Sequence, residues 1–196
     1  MLRKTIALLA VVMLVASTYG QDRNSSLELN YPFAIGDNFF EFSYVGIVDV
    51  GFDYRIAEAG LVDLWIGFNT GIFKSGDRMD DPNLEVLAFD FKPALIVELN
   101  TPGIDKLHPA IGVGYNAVMF TFVGNNPVDP NANRALIDEE TRGGINAHFR
   151  LAYDIAERWF VQAQYDFTKL SRRGDVPNIS FNTNVNTIRI GVGLRI

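Results

Sequence analysis

Residues 188–196 read Ile-Arg-Ile-Gly-Val-Gly-Leu-Arg-Ile. Ile188, Ile190, Val192, Leu194 and Ile196 occupy alternate positions, and Arg189, Gly191, Gly193 and Arg195 fill the gaps. Side chains at i and i+2 leave the same side of a β-strand. As a strand, this stretch has one wholly apolar face and one face that is charged or bare. Nine residues at ~3.3 Å each, tilted by ~40°, rise roughly 23 Å, close to the ~25 Å apolar band of a membrane-spanning barrel.

The same split recurs seven times upstream. In 27–33, Leu27, Leu29, Tyr31 and Phe33 oppose Glu28, Asn30 and Pro32. In 46–56, Val48, Val50, Phe52, Tyr54 and Ile56 oppose Asp49, Gly51, Asp53 and Arg55. In 62–73, Leu64, Ile66, Phe68 and Ile72 oppose Asp63, Gly67, Asn69 and Gly71, with Trp65 out of place among the polar residues. In 86–99, Leu87, Phe89, Phe91, Leu95, Val97 and Leu99 oppose Ala88, Asp90, Lys92 and Glu98. Stretches 109–123, 144–154 and 159–169 repeat the pattern. The spacing predicts eight strands joined by short links at 57–60 and 155–158, a moderate one at 100–108, and long ones at 34–45, 74–85, 124–143 and 170–183. Short links at one rim and long ones at the other describe an all-β, eight-stranded, antiparallel up-and-down transmembrane β-barrel.

The apolar face is expected to point outward. Its Phe, Tyr, Leu and Ile side chains overfill the interior of an eight-stranded barrel, which has room only for packed side chains. The opposite face, rich in Gly, Asn, Gln and charges of both signs, suits a narrow polar bore. A soluble lipocalin-like binder, with the faces exchanged, is the main fold alternative. Residues 1–20 read as a signal peptide: Arg3 and Lys4, the apolar run Ile6–Ala16, then Ser17-Thr18-Tyr19-Gly20. That run is shorter than the ~20 residues a spanning helix needs. Residues 21–196 then form one barrel domain, with both termini on the periplasmic side.

Composition narrows the function. The chain has no cysteine, 17 basic and 23 acidic residues, and no basic block. Disulfides, thiol chemistry and nucleic-acid binding are set aside.

The signal peptide, the eight alternating strands, the opening LELNYPFAIGDNFF (27–40) and the terminal IRIGVGLRI resemble the small outer-membrane β-barrels of the OmpA/OmpX-like kind, particularly the single-domain barrels of Bacteroidota-like bacteria. The resemblance implies residence in the outer membrane of a Gram-negative-type cell, contact with its lipid, and assembly by machinery that reads the C-terminal strand. Such chains usually end in an aromatic residue. Here Ile196 keeps the parity and lacks the ring.

The candidate site is an inward charge network. Its acids are Glu28, Asp49, Asp53, Asp63, Asp90, Glu98, Asp154 and Asp166. Its bases are Arg55, Lys92, Arg150, Arg189 and Arg195, joined by His148. Buried charges persist only when paired, so a structural filling of the bore is the first reading and an ion path or pH-sensitive gate the second. Tyr54, Tyr153 and Trp159 near the short turns, and Phe33, Phe73, Phe122, Phe167 and Phe181 toward the long loops, are expected as interfacial girdles. His148 has Asn146 and Arg150 as same-face neighbours and no nearby serine, and His108 falls at a turn. A lipid-modifying barrel enzyme therefore ranks behind a narrow channel, and both rank behind a non-enzymatic structural or surface-exposed protein whose loops bind a partner. No cofactor or resident metal is expected. In 124–143, Asp129, Asn131, Asn133 and Glu140 match positions 1, 3, 5 and 12 of a calcium loop, but Arg134 stands where glycine is required, so a solvated acidic loop is the default.

Overall fold

The computed structural model describes residues 23–76, 84–100, 103–124, 135–172, 174 and 177–196. The segment read as a signal peptide lies outside them. Eight strands follow in order: β1 Ser25–Ile35, β2 Tyr44–Ala59, β3 Val62–Ser75, β4 Leu84–Leu99, β5 Leu107–Gly124, β6 Ala135–Asp154, β7 Trp159–Leu170 and β8 Asn184–Arg195. Each pairs antiparallel with its neighbours, and β8 returns to β1 to close the barrel. At the seam, the Ser25 amide donates to the Ile196 carbonyl at 3.0 Å and the Ile196 amide to the Ser25 carbonyl at 2.8 Å. Closure leaves no free sheet edge, which is what a strand-built wall in hydrocarbon requires. Among the described residues no helix is long and apolar enough to cross a membrane.

The expected facing holds along most of the wall, although Leu194, expected on the exposed outer face, is buried. Val192, Ile190, Val161, Tyr165, Phe149, Ile111, Ile66 and Phe52 are exposed on the outer wall, while Arg189, Gln162, Gln164, Arg150, Asp53 and Glu28 are buried inside. Val192→Arg, in the terminal strand, is expected to destabilise the barrel by about 2–4 kcal/mol in lipid, because the charge faces hydrocarbon. Urea unfolding from vesicles measures this, and an unchanged midpoint contradicts the facing. Gly191 and Gly193 serve close approach. A methyl group at Gly191 collides with Asn30 and the Leu29 carbonyl, and one at Gly193 with the Phe160 ring.

The structure departs from the sequence reading at the long-link rim. Segment 34–45 contains a short helix, α1 (Phe39–Ser43), started by Asn38, whose side chain accepts from the amides of Phe40 at 3.1 Å and Glu41 at 3.0 Å. Segment 170–183 contains α2 (Ser180–Thr183). Strand β6 starts at Ala135, nine residues before the alternation predicts, because its polar first half pairs with β5 beyond the apolar band. Glu140 therefore lies in β6 opposite Phe120, and Asp129, Asn131 and Asn133 lie outside the described residues. Register shifts interrupt β2 against β3 around Ile47 and Ile56, and β5 against β6 at Phe122/Val123.

Candidate functional site

The bore is filled in three layers. At the long-link end α1 turns inward and sets Phe40 among Tyr44, Phe73, Val86, Ala88, Val118, Phe120, Leu170 and Val185, all buried. The Phe40 ring centroid stands 4.9 Å from Phe73 and 5.0 Å from Tyr44. This apolar cap corrects two expected girdle residues. Phe73 is fully buried inside the cap, and Phe122 packs against it from within. Phe73 shares the parity of Asp63 and Gly71, so its side chain points away from lipid. Phe33, Tyr54, Tyr153 and Trp159 are exposed on the outer wall, and Phe167 is half-buried there. Phe181 is exposed in α2.

Beneath the cap, the amides of Asn116 and Asn146 both donate to the Thr168 hydroxyl, at 3.1 and 3.0 Å. The charged layer follows. Arg150 is its hub: Nη1 donates to Glu28 Oε1 at 2.8 Å and to Asp53, and Nη2 reaches Glu98 Oε2 at 3.3 Å. Arg189 Nη2 donates to Asp166 Oδ1 at 2.7 Å, and Nη1 lies 3.5 Å from Asp49 Oδ1. Lys92 pairs with Asp90 and stands 4.0 Å from Asp49. Gln162 ties the two arginine systems together by donating to Glu28 at 2.7 Å and to Asn30 at 2.8 Å, while Asn30 donates to Asp49 at 3.1 Å. These partners come from six different strands, so the network is a cross-brace that no single strand segment contains. The planar guanidinium suits it, since one fork serves several carboxylates at once. His148 is buried in the same layer, its imidazole lying over Gly112, where a methyl group would collide with the ring.

The short-turn end is more open and lined by polar side chains. A recess of about 510 Å³ is lined by Arg23, Arg55, Asp63, Glu98, Asn100, His108, Asp154 and Arg195. Arg55 reaches Asp63 at 3.3 Å and lies 5.7 Å above the Trp65 ring. This explains Trp65: it is inward and buried, forming with Ile96 and Ala110 a small apolar floor under the arginine. His108, expected at a turn, is the second residue of β5. Its Nε2 is 2.9 Å from Asp154 and its Nδ1 3.5 Å from Glu98, and Arg195 completes the group at 3.3 Å from Asp154. All fourteen residues of the sequence-derived charge network thus face the bore, in two groups that meet at Glu98. The sequence reading omitted His108, although its position shares the parity of inward Gly112, Gly114 and Asn116. Among the described residues no three His, Asp or Glu side chains are arranged to hold a metal ion.

Neither a protein-family model nor a curated protein matches the chain. Solved structures do. The attachment invasion locus protein Ail of Yersinia pestis is similar over 88% of this chain and 97% of its own, at 10% identity and a TM-score of 0.56. Neisserial surface protein A gives 10% identity, the same coverages and 0.56. The outer-membrane protein OprG of Pseudomonas aeruginosa gives 11% identity, 88% and 95% coverage and 0.51. The chain has the fold of the small eight-stranded outer-membrane β-barrels. Its outer wall is apolar, as a barrel wall that faces lipid requires.

Proposed function

We propose that the protein is a closed, non-enzymatic surface barrel: a membrane-anchored scaffold that presents its long links outside the cell and conducts little through its bore. The observation that carries this reading is the filled lumen. Phe40 and Phe73 at one end and Arg150 and Arg189 in the middle are all buried, each packed against or bonded to neighbours from other strands. An eight-stranded barrel has no spare diameter once such side chains lie across it. The terminal strand, ending in Ile196, is proposed as the segment read by the assembly machinery.

Planar-bilayer recording tests the reading. The protein is expected to show no steady single-channel openings in 1 M salt, and Arg189→Ala to show brief flickers as Asp166 and Asp49 lose their partner. Stable, ion-selective openings of the unaltered protein overturn the closed-barrel reading in favour of a narrow channel.

A further inference from the structure

The open mouth of the bore, at the short-turn end, holds a histidine placed between two acids. His108 Nε2 is 2.9 Å from Asp154 Oδ2, and its Nδ1 is 3.5 Å from Glu98 Oε1. An ionised carboxylate only accepts hydrogen bonds. A neutral imidazole has one N–H to donate and one bare nitrogen, so it serves one of these acids and turns a lone pair on the other. The imidazolium serves both. Arg195 stands 3.3 Å from Asp154 and 3.8 Å from Glu98, and Arg150 stands 3.3 Å from Glu98. With guanidinium groups beside both acids, the carboxylates stay ionised and the extra proton belongs to the imidazole.

The four side chains sit at the ends of four strands: Glu98 near the end of β4, His108 near the start of β5, Asp154 at the end of β6 and Arg195 at the end of β8. Strand β8 is four places from β4 around the closed sheet, so no backbone ladder joins them. With the imidazole charged, two cations and two anions draw these ends together across the mouth. With it neutral, Glu98 and Asp154 share Arg195, and the one further cation, Arg150, already carries Glu28 and Asp53. The Glu98 side chain is 4% exposed, so water screens the surplus charge poorly. The rest of the recess has no cation to spare: Arg55 is paired with Asp63 and Glu58, and Arg23 with Glu157. The other histidine, His148, lies deeper, over Gly112.

We propose that His108 is a proton-operated latch: protonated, it fastens the ends of β4, β5, β6 and β8 across the mouth, and its deprotonation loosens them. The folded barrel holds this proton more tightly than the unfolded chain does. The latch therefore adds stability that is complete below the ordinary imidazole value of about 6.5 and is lost as pH rises through the folded value. The inference does not depend on the bore being closed or on any loop partner.

Nuclear magnetic resonance of the imidazoles in the folded barrel tests it. The chain has two histidines, and His148→Gln assigns their signals. In the unaltered protein His108 is expected to titrate above about pH 7, and Asp154→Asn, which keeps an oxygen acceptor and removes the charge, to bring that titration down by roughly one pH unit. Urea unfolding gives a second reading. Between about pH 5.5 and about pH 8.5, the folding equilibrium constant of the unaltered protein should fall about tenfold more than that of His108→Gln. Titration of His108 at or below the ordinary imidazole value overturns the proposal, and the unaltered protein alone decides this. A titration unmoved in Asp154→Asn, or parallel stability profiles for the unaltered protein and His108→Gln, overturns it as well.

Discussion

Arg150→Ala is expected to lower the stability of the folded barrel by about 3–5 kcal/mol, the usual consequence of stranding buried charges without their partner. Three carboxylates depend on this guanidinium, Glu28, Asp53 and Glu98, and they belong to β1, β2 and β4 while Arg150 belongs to β6. The lost residue thus uncouples opposite sides of the wall. Urea unfolding followed by the heat-dependent gel shift of the folded form measures the loss. Water entering the gap from the recess beside Glu98 reduces the cost toward the lower figure. Replacing Arg150 by Met together with Glu28→Gln should recover part of it, because fewer charges are then left unpaired. A midpoint unchanged in Arg150→Ala would mean that the brace contributes nothing to stability.

Phe40→Ala is expected to cost a comparable about 3–5 kcal/mol, the range for deleting a buried aromatic ring. The reason is the shape of the cap. Phe40 is carried on one short helix and wedged between rings from three strands, Tyr44, Phe73 and Phe120. Phe40 is the buried residue of α1, and the adjoining Phe39 packs only partly buried against the cap, so the space the ring leaves is refilled at best in part. The same substitution at Phe42, exposed on the outer side of the helix, should cost much less. Equal losses at the two positions would show that α1 contributes only as a surface loop.

Much of this architecture is written in period-two patterning. Ile188–Ile196 and its seven counterparts place the strands, and alternation assigns Glu28, Asp49, Arg150 and Arg189 to the bore without any knowledge of their partners. The partners are not legible, because Arg150 meets residues 122, 97 and 52 positions away. The cap was hidden for a different reason. Phe39 and Phe40 sit in a stretch whose Gly36, Asp37 and Asn38 read as turn residues, and Asn38 is also a helix start. Phe73 carried its own answer: its parity matches Asp63, yet an aromatic residue at a strand end invites assignment to the membrane boundary. Bulges are the third gap. Ile47 and Ile56 are apolar residues in apolar company, and nothing in their identity says that one residue on the strand is unmatched.

Ail, Neisserial surface protein A and OprG share this fold with about one residue in ten identical. A barrel wall asks only for apolar residues outward and for every backbone group paired or otherwise satisfied. Many sequences meet that demand, and the bore is then free to be filled in its own way. In this chain it is filled by rings at one end and ion pairs in the middle.

The most direct test of a membrane-spanning barrel with a filled bore is thiol labelling, since the chain has no cysteine of its own. Thr187→Cys places a thiol inside, where Thr187 is buried, and Ile190→Cys places one on the outer wall. In vesicles the account predicts that a water-soluble maleimide labels neither position in the folded barrel and both after unfolding, because a thiol at 190 sits in hydrocarbon, where no thiolate forms, and one at 187 is packed in the bore. Labelling of position 187 by the water-soluble reagent in the folded barrel would contradict a filled bore, and labelling of position 190 by it would contradict a wall that faces lipid.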